Sequence, residues 1–319
     1  MLIENLKIPN NILLAPMSGV TDPPYRSIVK NFKPGLVFSE MIASRALIEK
    51  NNKTLKMIEK KNKGIYAIQI AGCDPKIMAE AAKICEDSGA DMVDINMGCP
   101  VKKVVNGYAG SALMKDEALA LKIINYVIKA VKIPVTLKMR TGWDNSSRNA
   151  PKIAKISESM GIAMITVHGR TRCQMFSGKS DWKFIKKVKD SVKIPVIGNG
   201  DIQSLKDVDD VFEQSSVDGL MIGRGVYGKP WIFEEINSYL NNLEYLPPTV
   251  DEIKTIINNH FELTLEHYDI QVGIKKFRKH LGWYSKSLKN SNSFRVKINN
   301  SIHYNEIKNF INSFFVIEN

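Results

Sequence analysis

Met92-Val93-Asp94-Ile95-Asn96-Met97-Gly98-Cys99-Pro100 is an apolar run that stops at a cysteine held between a glycine and a proline. Its first half reads as a buried strand, so Cys99 falls just past that strand's carboxyl end. Parallel sheets and barrels place their chemistry at that end. A cysteine in a core acts as a small hydrophobe. Here Asn96, Gly98 and Pro100 shape a tight polar turn, which makes Cys99 a candidate acid, base or nucleophile.

Working outward, short apolar runs recur at the spacing of βα units: Ile12–Met17, Leu36–Met41, Tyr66–Ile70, Met92–Met97, Val135–Arg140, Met164–Gly169, Pro195–Gly200 and Gly219–Arg224. Amphipathic stretches lie between most of them, among them Pro75–Ser88, Asp116–Val131, Ala150–Met160 and Ser204–Gln214. Pro75 and Asp116 suit a first helical turn, and Gly89 and Gly161 suit the position after a last one. Strands apolar on both faces and separated by helices imply a covered parallel sheet. Eight such units predict an α/β fold, a (β/α)8 TIM barrel, with an open doubly wound sheet as the alternative. After Tyr239 the rhythm stops, and Pro247-Pro248 ends a linker. Thr249-Val250-Asp251-Glu252 then opens a helix with the signature of a capping box. The expected division is a catalytic barrel over 1–242 and a small all-helical C-terminal domain over 249–319.

With 319 residues, 44% of them hydrophobic, the chain can bury a large core. No stretch approaches the roughly 20 apolar residues of a membrane span, and the N-terminus does not read as a signal peptide. Cys73, Cys85, Cys99 and Cys173 show no metal-ligand spacing, so no zinc site, no disulfide scaffold and a reducing, cytoplasmic setting are expected. The net charge of +12 is weak evidence by itself, because 36 of the 45 basic residues are lysine in a chain also rich in Asn and Ile. Its distribution says more. Between Gln271 and Asn305 stand Lys275, Lys276, Arg278, Lys279, Lys286, Lys289, Arg295 and Lys297 without one Asp or Glu, and Phe277, Trp283, Tyr284 and Phe294 are interleaved. A solvated helix face alternates charge signs. A basic stripe with aromatic anchors predicts a nucleic-acid surface.

The predicted strand ends carry polar residues at one mouth: Gln69, Asn96, Lys138, Arg140, His168 and Asn199. Gly198-Asn199-Gly200-Asp201 and Gly223-Arg224-Gly225 follow the seventh and eighth strands, where barrels build phosphate sites from backbone N–H groups. A lysine within a strand, such as Lys138, needs an anionic partner. Gln69 offers a donor and an acceptor suited to a flavin edge. His168 reads equally well as a satisfied core histidine.

Taken together, these segments resemble a known family, the tRNA-dihydrouridine synthases, in their bacterial B-type branch. The resemblance spans essentially the whole chain. It rests on Ala15-Pro16-Met17, Gln69-Ile70-Ala71-Gly72, Asn96 to Pro100, Lys138-Met139-Arg140-Thr141-Gly142, Val167-His168-Gly169-Arg170-Thr171, Gly198 to Asp201, Ile222 to Gly225 and Arg278-Lys279-His280-Leu281-Gly282-Trp283-Tyr284. It implies FMN held by Ala15, Pro16, Met17, Gln69, Lys138, His168, Asn199, Gly200, Asp201, Gly223 and Arg224. It also implies Cys99 as the proton donor, Asn96 on the target base, and Arg170, Arg172 and the helical tail, with Lys275, Lys276, Arg278 and Lys279, on tRNA. NADPH would reduce the flavin, hydride would pass to uracil C6, and Cys99 would protonate C5. An ordinary thiol, with a pKa of about 8.5, is mostly protonated near neutrality and can serve as that acid. No membrane or metal partner is expected, and a monomer is. A barrel acting on a free pyrimidine shares the phosphate loops but leaves the acid-free tail unexplained. A non-catalytic RNA-binding protein leaves Cys99 and Lys138 unexplained.

Overall fold

The computed structural model describes residues 1–59 and 64–316. Among the described residues, eight parallel strands form the ring: β1 Ile12–Leu14, β2 Leu36–Phe38, β3 Tyr66–Ala71, β4 Met92–Met97, β5 Val135–Arg140, β6 Met164–His168, β7 Val196–Asn199 and β8 Gly219–Ile222, with a two-residue strand, Ile42–Ala43, added parallel to the end of β3. Each pairs with the next in sequence, and β8 pairs back onto β1 through Leu220 opposite Ile12 and Ile222 opposite Leu14. That pairing leaves no free edge, so the sheet is a closed barrel and not the open doubly wound alternative. The expected runs hold, with their last residues left as loop: β1 ends at Leu14 and β8 at Ile222, so Ala15, Pro16, Met17, Gly223 and Arg224 lie beyond their strands.

The intervening helices start and stop where side-chain chemistry dictates. Asp74 caps Pro75–Asp87 by accepting from the N–H groups of Lys76 and Ile77, with Pro75 at the first turn. Asp116, expected inside its helix, is the N-cap of Glu117–Ala130. Gly161 closes Ala150–Met160 at φ 107°, a left-handed conformation that costs glycine nothing.

Contacts divide the chain into two compact units. The first, 1–22 and 34–223, is the barrel, with an apolar centre that includes Leu13, Phe38, Ala67, Met92, Met164, Ile197 and Met221. The second is discontinuous, comprising 23–33 and 224–319. Its helices are Pro23–Lys30, Ile232–Leu240, Val250–His267, Ile270–Tyr284, Ser291–Asn300 and Tyr304–Phe314. Thr249 and Glu252 form the expected capping box. Ile257, Phe261, Ile274, Phe277, Leu281, Phe294, Ile298, Ile307 and Ile311 build its core, and Trp231 packs there as well. Residues 317–319 lie outside the described residues.

Candidate active site

Side chains alternate across a strand, so Asp94 and Asn96 of β4 share one face. Register sets Gln69 of β3 and Thr136 of β5 beside Asp94, and Lys138 of β5 beside Asn96. All five are buried polar residues that must find partners. They find one another. Thr136 Oγ1 donates to Asp94 Oδ1 at 2.6 Å and Gln69 Nε2 to Asp94 Oδ2 at 2.7 Å. Asn96 Nδ2 donates to Gln69 Oε1 at 2.7 Å. Lys138 Nζ donates to Asn199 Oδ1 at 3.0 Å. Since β5 and β7 are not neighbours in the sheet, that bond crosses the barrel interior.

Cys99 stands at the top of this array, held by its backbone. Asn96 Oδ1 accepts from the N–H groups of Gly98 and Cys99 at 3.2 and 3.0 Å. The N–H and hydroxyl of Ser111 both donate to the Cys99 carbonyl, at 3.0 and 2.8 Å. Gly110, at φ 61°, lies against it: a Cβ there would sit 2.9 Å from the Cys99 carbonyl oxygen. The thiol is half-buried and forms no disulfide.

Burial governs the electrostatics. It pushes the Lys138 ammonium down to about 8, with Arg140 adding to the fall while Asp94 and Cys99 oppose it. Burial raises Asp94 to about 6 against the pull of Thr136, Gln69 and Lys138. One Lys138 donor goes to a neutral amide oxygen, and a charge so placed is suited to an anionic partner.

On the far side of the barrel, Arg170 is 2% exposed and its guanidinium is engaged internally. It clamps both Asp201 oxygens at 2.8 and 2.6 Å and donates to the carbonyls of Ser177 and Gly178. It also contacts His168 Nε2 at 3.3 Å. A guanidinium only donates, so Nε2 is an acceptor and the His168 proton belongs on Nδ1. Gly200, at φ 113°, leaves room for this ring, because a Cβ would come within 2.5 Å of His168 Cδ2. Arg170 therefore braces expected cofactor residues, which differs from its expected place at a tRNA surface. Arg172 lies over the Trp143 ring at 4.7 Å. Arg140, 1% exposed, ties Gly98, Thr171 and Met175 by donating to their carbonyls.

Ala15 and Met17 line the space above Gly223, where a Cβ would meet Ala15 Cβ and Met17 Sδ at 3.9 Å. The Met17 N–H is fixed by Thr21 Oγ1. Arg224 is exposed and opens the short turn Arg224–Val226. A flavin fits this chemistry: a buried lysine, held by the Asn199 amide oxygen, to face negative charge on its ring, and a glycine at 223 that leaves van der Waals room beside Ala15 and Met17. Asp94, Thr136, Gly110 and Ser111 are site residues that the reading of the sequence left unassigned, and Arg140, read there as a residue of the mouth, ties the surrounding loops together. The polar pairs at i and i+2 in β4 and β5 are the signal for the first two.

In the helical unit, Lys275, Lys276 and Lys279 lie on the Ile270–Tyr284 helix opposite its buried Ile274, Phe277 and Leu281. Arg278 instead donates to the Ser301 carbonyl at 2.5 Å. The interleaved aromatics are not free anchors. Phe277, Tyr284 and Phe294 are core, and Trp283 stacks on Tyr227 at 3.9 Å. The helical period explains this, since Phe277, Leu281 and Tyr284 fall on one stripe.

Among the described residues there is no group of three His, Cys, Asp or Glu able to hold a metal, and no helix is long and apolar enough to cross a membrane. Two solved structures share the barrel at 12% identity. Histamine dehydrogenase from Rhizobium sp. 4-9 has a TM-score of 0.59 over 82% of this chain and 50% of its own. A morphinone reductase variant has a TM-score of 0.52 over 79% of this chain and 92% of its own. Among curated proteins, a probable tRNA-dihydrouridine synthase of Rickettsia bellii is 52% identical over 300 residues, 93% of this chain and 92% of the relative. The tRNA-dihydrouridine synthase B of Pseudomonas aeruginosa is 44% identical over 294 residues, 92% of this chain and 89% of the relative. The family described as dihydrouridine synthase (Dus) matches residues 13–316. A thiol at the end of β4, a buried lysine on β5 and a match along nearly the full length agree: the chain belongs to the dihydrouridine synthase family.

Proposed function

We propose that this protein reduces uridine in tRNA to 5,6-dihydrouridine, with FMN as its cofactor and NADPH as reductant. The supporting observation is Cys99, backbone-clamped above a buried network that also presents Lys138. Bound FMN, once reduced, would supply the hydride for C6 of the uracil. Cys99 delivers the proton to C5, and its clamp holds the thiol in place for that transfer. Asn96 has one amide N–H committed to Gln69, and the other reads a uracil carbonyl. Lys138 stabilises the negative charge that accumulates on the cofactor. Ala15, Pro16, Met17, Gln69, Lys138, His168, Asn199, Gly200, Asp201, Gly223 and Arg224 hold the cofactor, Asp201 with Arg170 behind it.

A stacked uridine cannot reach a barrel mouth, so it must be extruded at a cost of a few kcal/mol. Phosphate contacts offset that cost. Arg172, Lys275, Lys276 and Lys279 make them, while Arg170 and Arg278 act as braces. The barrel unit, 1–22 and 34–223, carries the chemistry, and the helical unit, within which 249–316 falls, carries the tRNA contacts. The protein works as a monomer in the cytoplasm, where tRNA is modified.

The test is nucleoside mass spectrometry on tRNA lacking dihydrouridine, incubated with FMN-loaded protein and NADPH. The wild type should add two hydrogens to a uridine. Cys99→Ala should bind FMN and accept electrons from NADPH yet make no dihydrouridine. Full turnover in Cys99→Ala removes Cys99 from the chemistry, and no product from wild type rejects the substrate.

A further inference from the structure

We propose that Asp94, which is buried and touches no reacting atom, is a positioning residue: it sets the direction of a hydrogen-bond chain through Gln69 and Asn96 that holds the Cys99 turn. The inference rests on the reading of Cys99 as proton donor. The chain is fixed from both ends. At the upper end, the N–H groups of Gly98 and Cys99 can only donate, so the Asn96 atom facing them is Oδ1. Its amide nitrogen then faces Gln69, which must answer with Oε1. That choice turns Gln69 Nε2 towards Asp94, and the chain closes only on an acceptor.

At the lower end, Asp94 is that acceptor. Its other oxygen is taken by the Thr136 hydroxyl. The charged group acting on it is Lys138, which favours the ionised carboxylate against the burial that raises it to about 6. Two amides that could each flip are thus locked between the N–H groups of the turn at one end and one carboxylate at the other. A neutral group in its place can donate as well as accept, and Gln69 is then free to turn over. A turned Gln69 presents Nε2 to Asn96, Asn96 answers with Oδ1, and two N–H donors of the Cys99 turn are left facing an NH2 group. Unsatisfied donors there displace the turn, and a displacement of about 1 Å at a reacting group is worth about 100-fold in rate.

The experiment reads Cys99 directly. The FMN-loaded protein is alkylated with iodoacetamide, and the rate at the Cys99 peptide is followed by mass spectrometry without tRNA. Asp94→Asn should change that rate at least fivefold and lower dihydrouridine formation by about 100-fold, in a protein whose circular dichroism matches wild type. The double variant Asp94→Asn, Gln69→Glu moves the carboxylate one place along the chain, and because Gln69 also faces the cofactor, all alkylation rates are compared at equal FMN occupancy, read from flavin absorbance. The carboxylate at position 69 then accepts from the asparagine amides on either side of it and Asn96 keeps its direction, so Cys99 alkylation should return to within about twofold of wild type. A folded Asp94→Asn protein with wild-type alkylation and turnover overturns the proposal, as does a double variant that alkylates like the single one. Failure of wild type to make dihydrouridine rejects the assigned substrate, while the alkylation rates still decide the role of Asp94.

Discussion

Gly110 is as much a part of the Cys99 site as the residues that touch it with hydrogen bonds. Gly110→Ala would strain a φ of 61° and push a methyl to 2.9 Å from the Cys99 carbonyl. We expect a stability loss of about 1–2 kcal/mol and a far larger loss of dihydrouridine formation, about 100-fold, with FMN still bound. Thermal melts and single-turnover assays measure the two. Lys138 makes a different prediction. Burial brings its ammonium to about 8, so it is charged at neutral pH and loses its charge as pH rises through that value. FMN affinity should weaken above pH 8 by up to about tenfold per unit, and Lys138→Met should bind weakly without that trend. Fluorescence titration at several pH values checks both. Lys138 stood out in the sequence because it interrupts a strand with chemistry that a core does not need, and Cys99 because it follows one in a tight polar turn. Gly110 and Ser111 did not, because their part is a close approach in space to a residue eleven or twelve positions away. Asp94 was hidden as well, since a single acid in an apolar strand does not announce the partners across two neighbouring strands that complete it.

The Ile270–Tyr284 helix separates charge from packing by periodicity alone. Replacing Lys275, Lys276 and Lys279 together with Ala should lower the slope of log affinity for tRNA against log salt by about 2–3, the loss of three phosphate contacts. Arg278→Ala should leave that slope unchanged and cost about 1–3 kcal/mol of stability, because it removes a charged hydrogen bond to the Ser301 carbonyl. Filter binding across a salt series, with a melt of each variant, separates the two roles. Counting charges along the sequence could not make this distinction. The same counting misread Phe277 and Tyr284, whose spacing marks the inner face of this helix, and Phe294, which is buried on the next one. The barrel strands, in contrast, were readable almost to the residue, because apolar runs on both faces of a parallel sheet carry their own boundaries.

Across the molecule, acid should undo the helical unit first. His260 and His280 meet edge to face in its core with ring centroids 4.6 Å apart, beside Tyr25, Phe277 and Tyr284. Burial holds His260 down at about 3, and it lowers His280 well below 6.5 with His260 and nearby lysines adding to the fall. Both are neutral when folded and take up a proton when unfolded. Their contribution is therefore complete above pH 6.5 and drains away as pH falls, for His260 down towards about 3. The loss is up to about 1.4 kcal/mol per unit for His260, or roughly 2 kcal/mol at pH 5, with His280 acting in the same direction. Melts between pH 7.5 and 5 measure it, and His260→Phe should make the fall shallower. The division into a barrel and a helical tail was readable from where the βα rhythm ends. That Pro23–Lys33 belongs with the tail was not, since its partners are distant in sequence.

The discontinuity of that second unit also has a history in time. A ribosome releases Pro23–Lys33 early and Arg224 onward last, with 34–223 made in between. At about 5–20 residues per second, that interval lasts roughly 10–40 s. Throughout it, Tyr25, Ile28 and Val29, all buried in the finished protein, have been made but their partners have not. Each newborn copy thus holds out an apolar segment before its core exists, and chaperones have that long to find it.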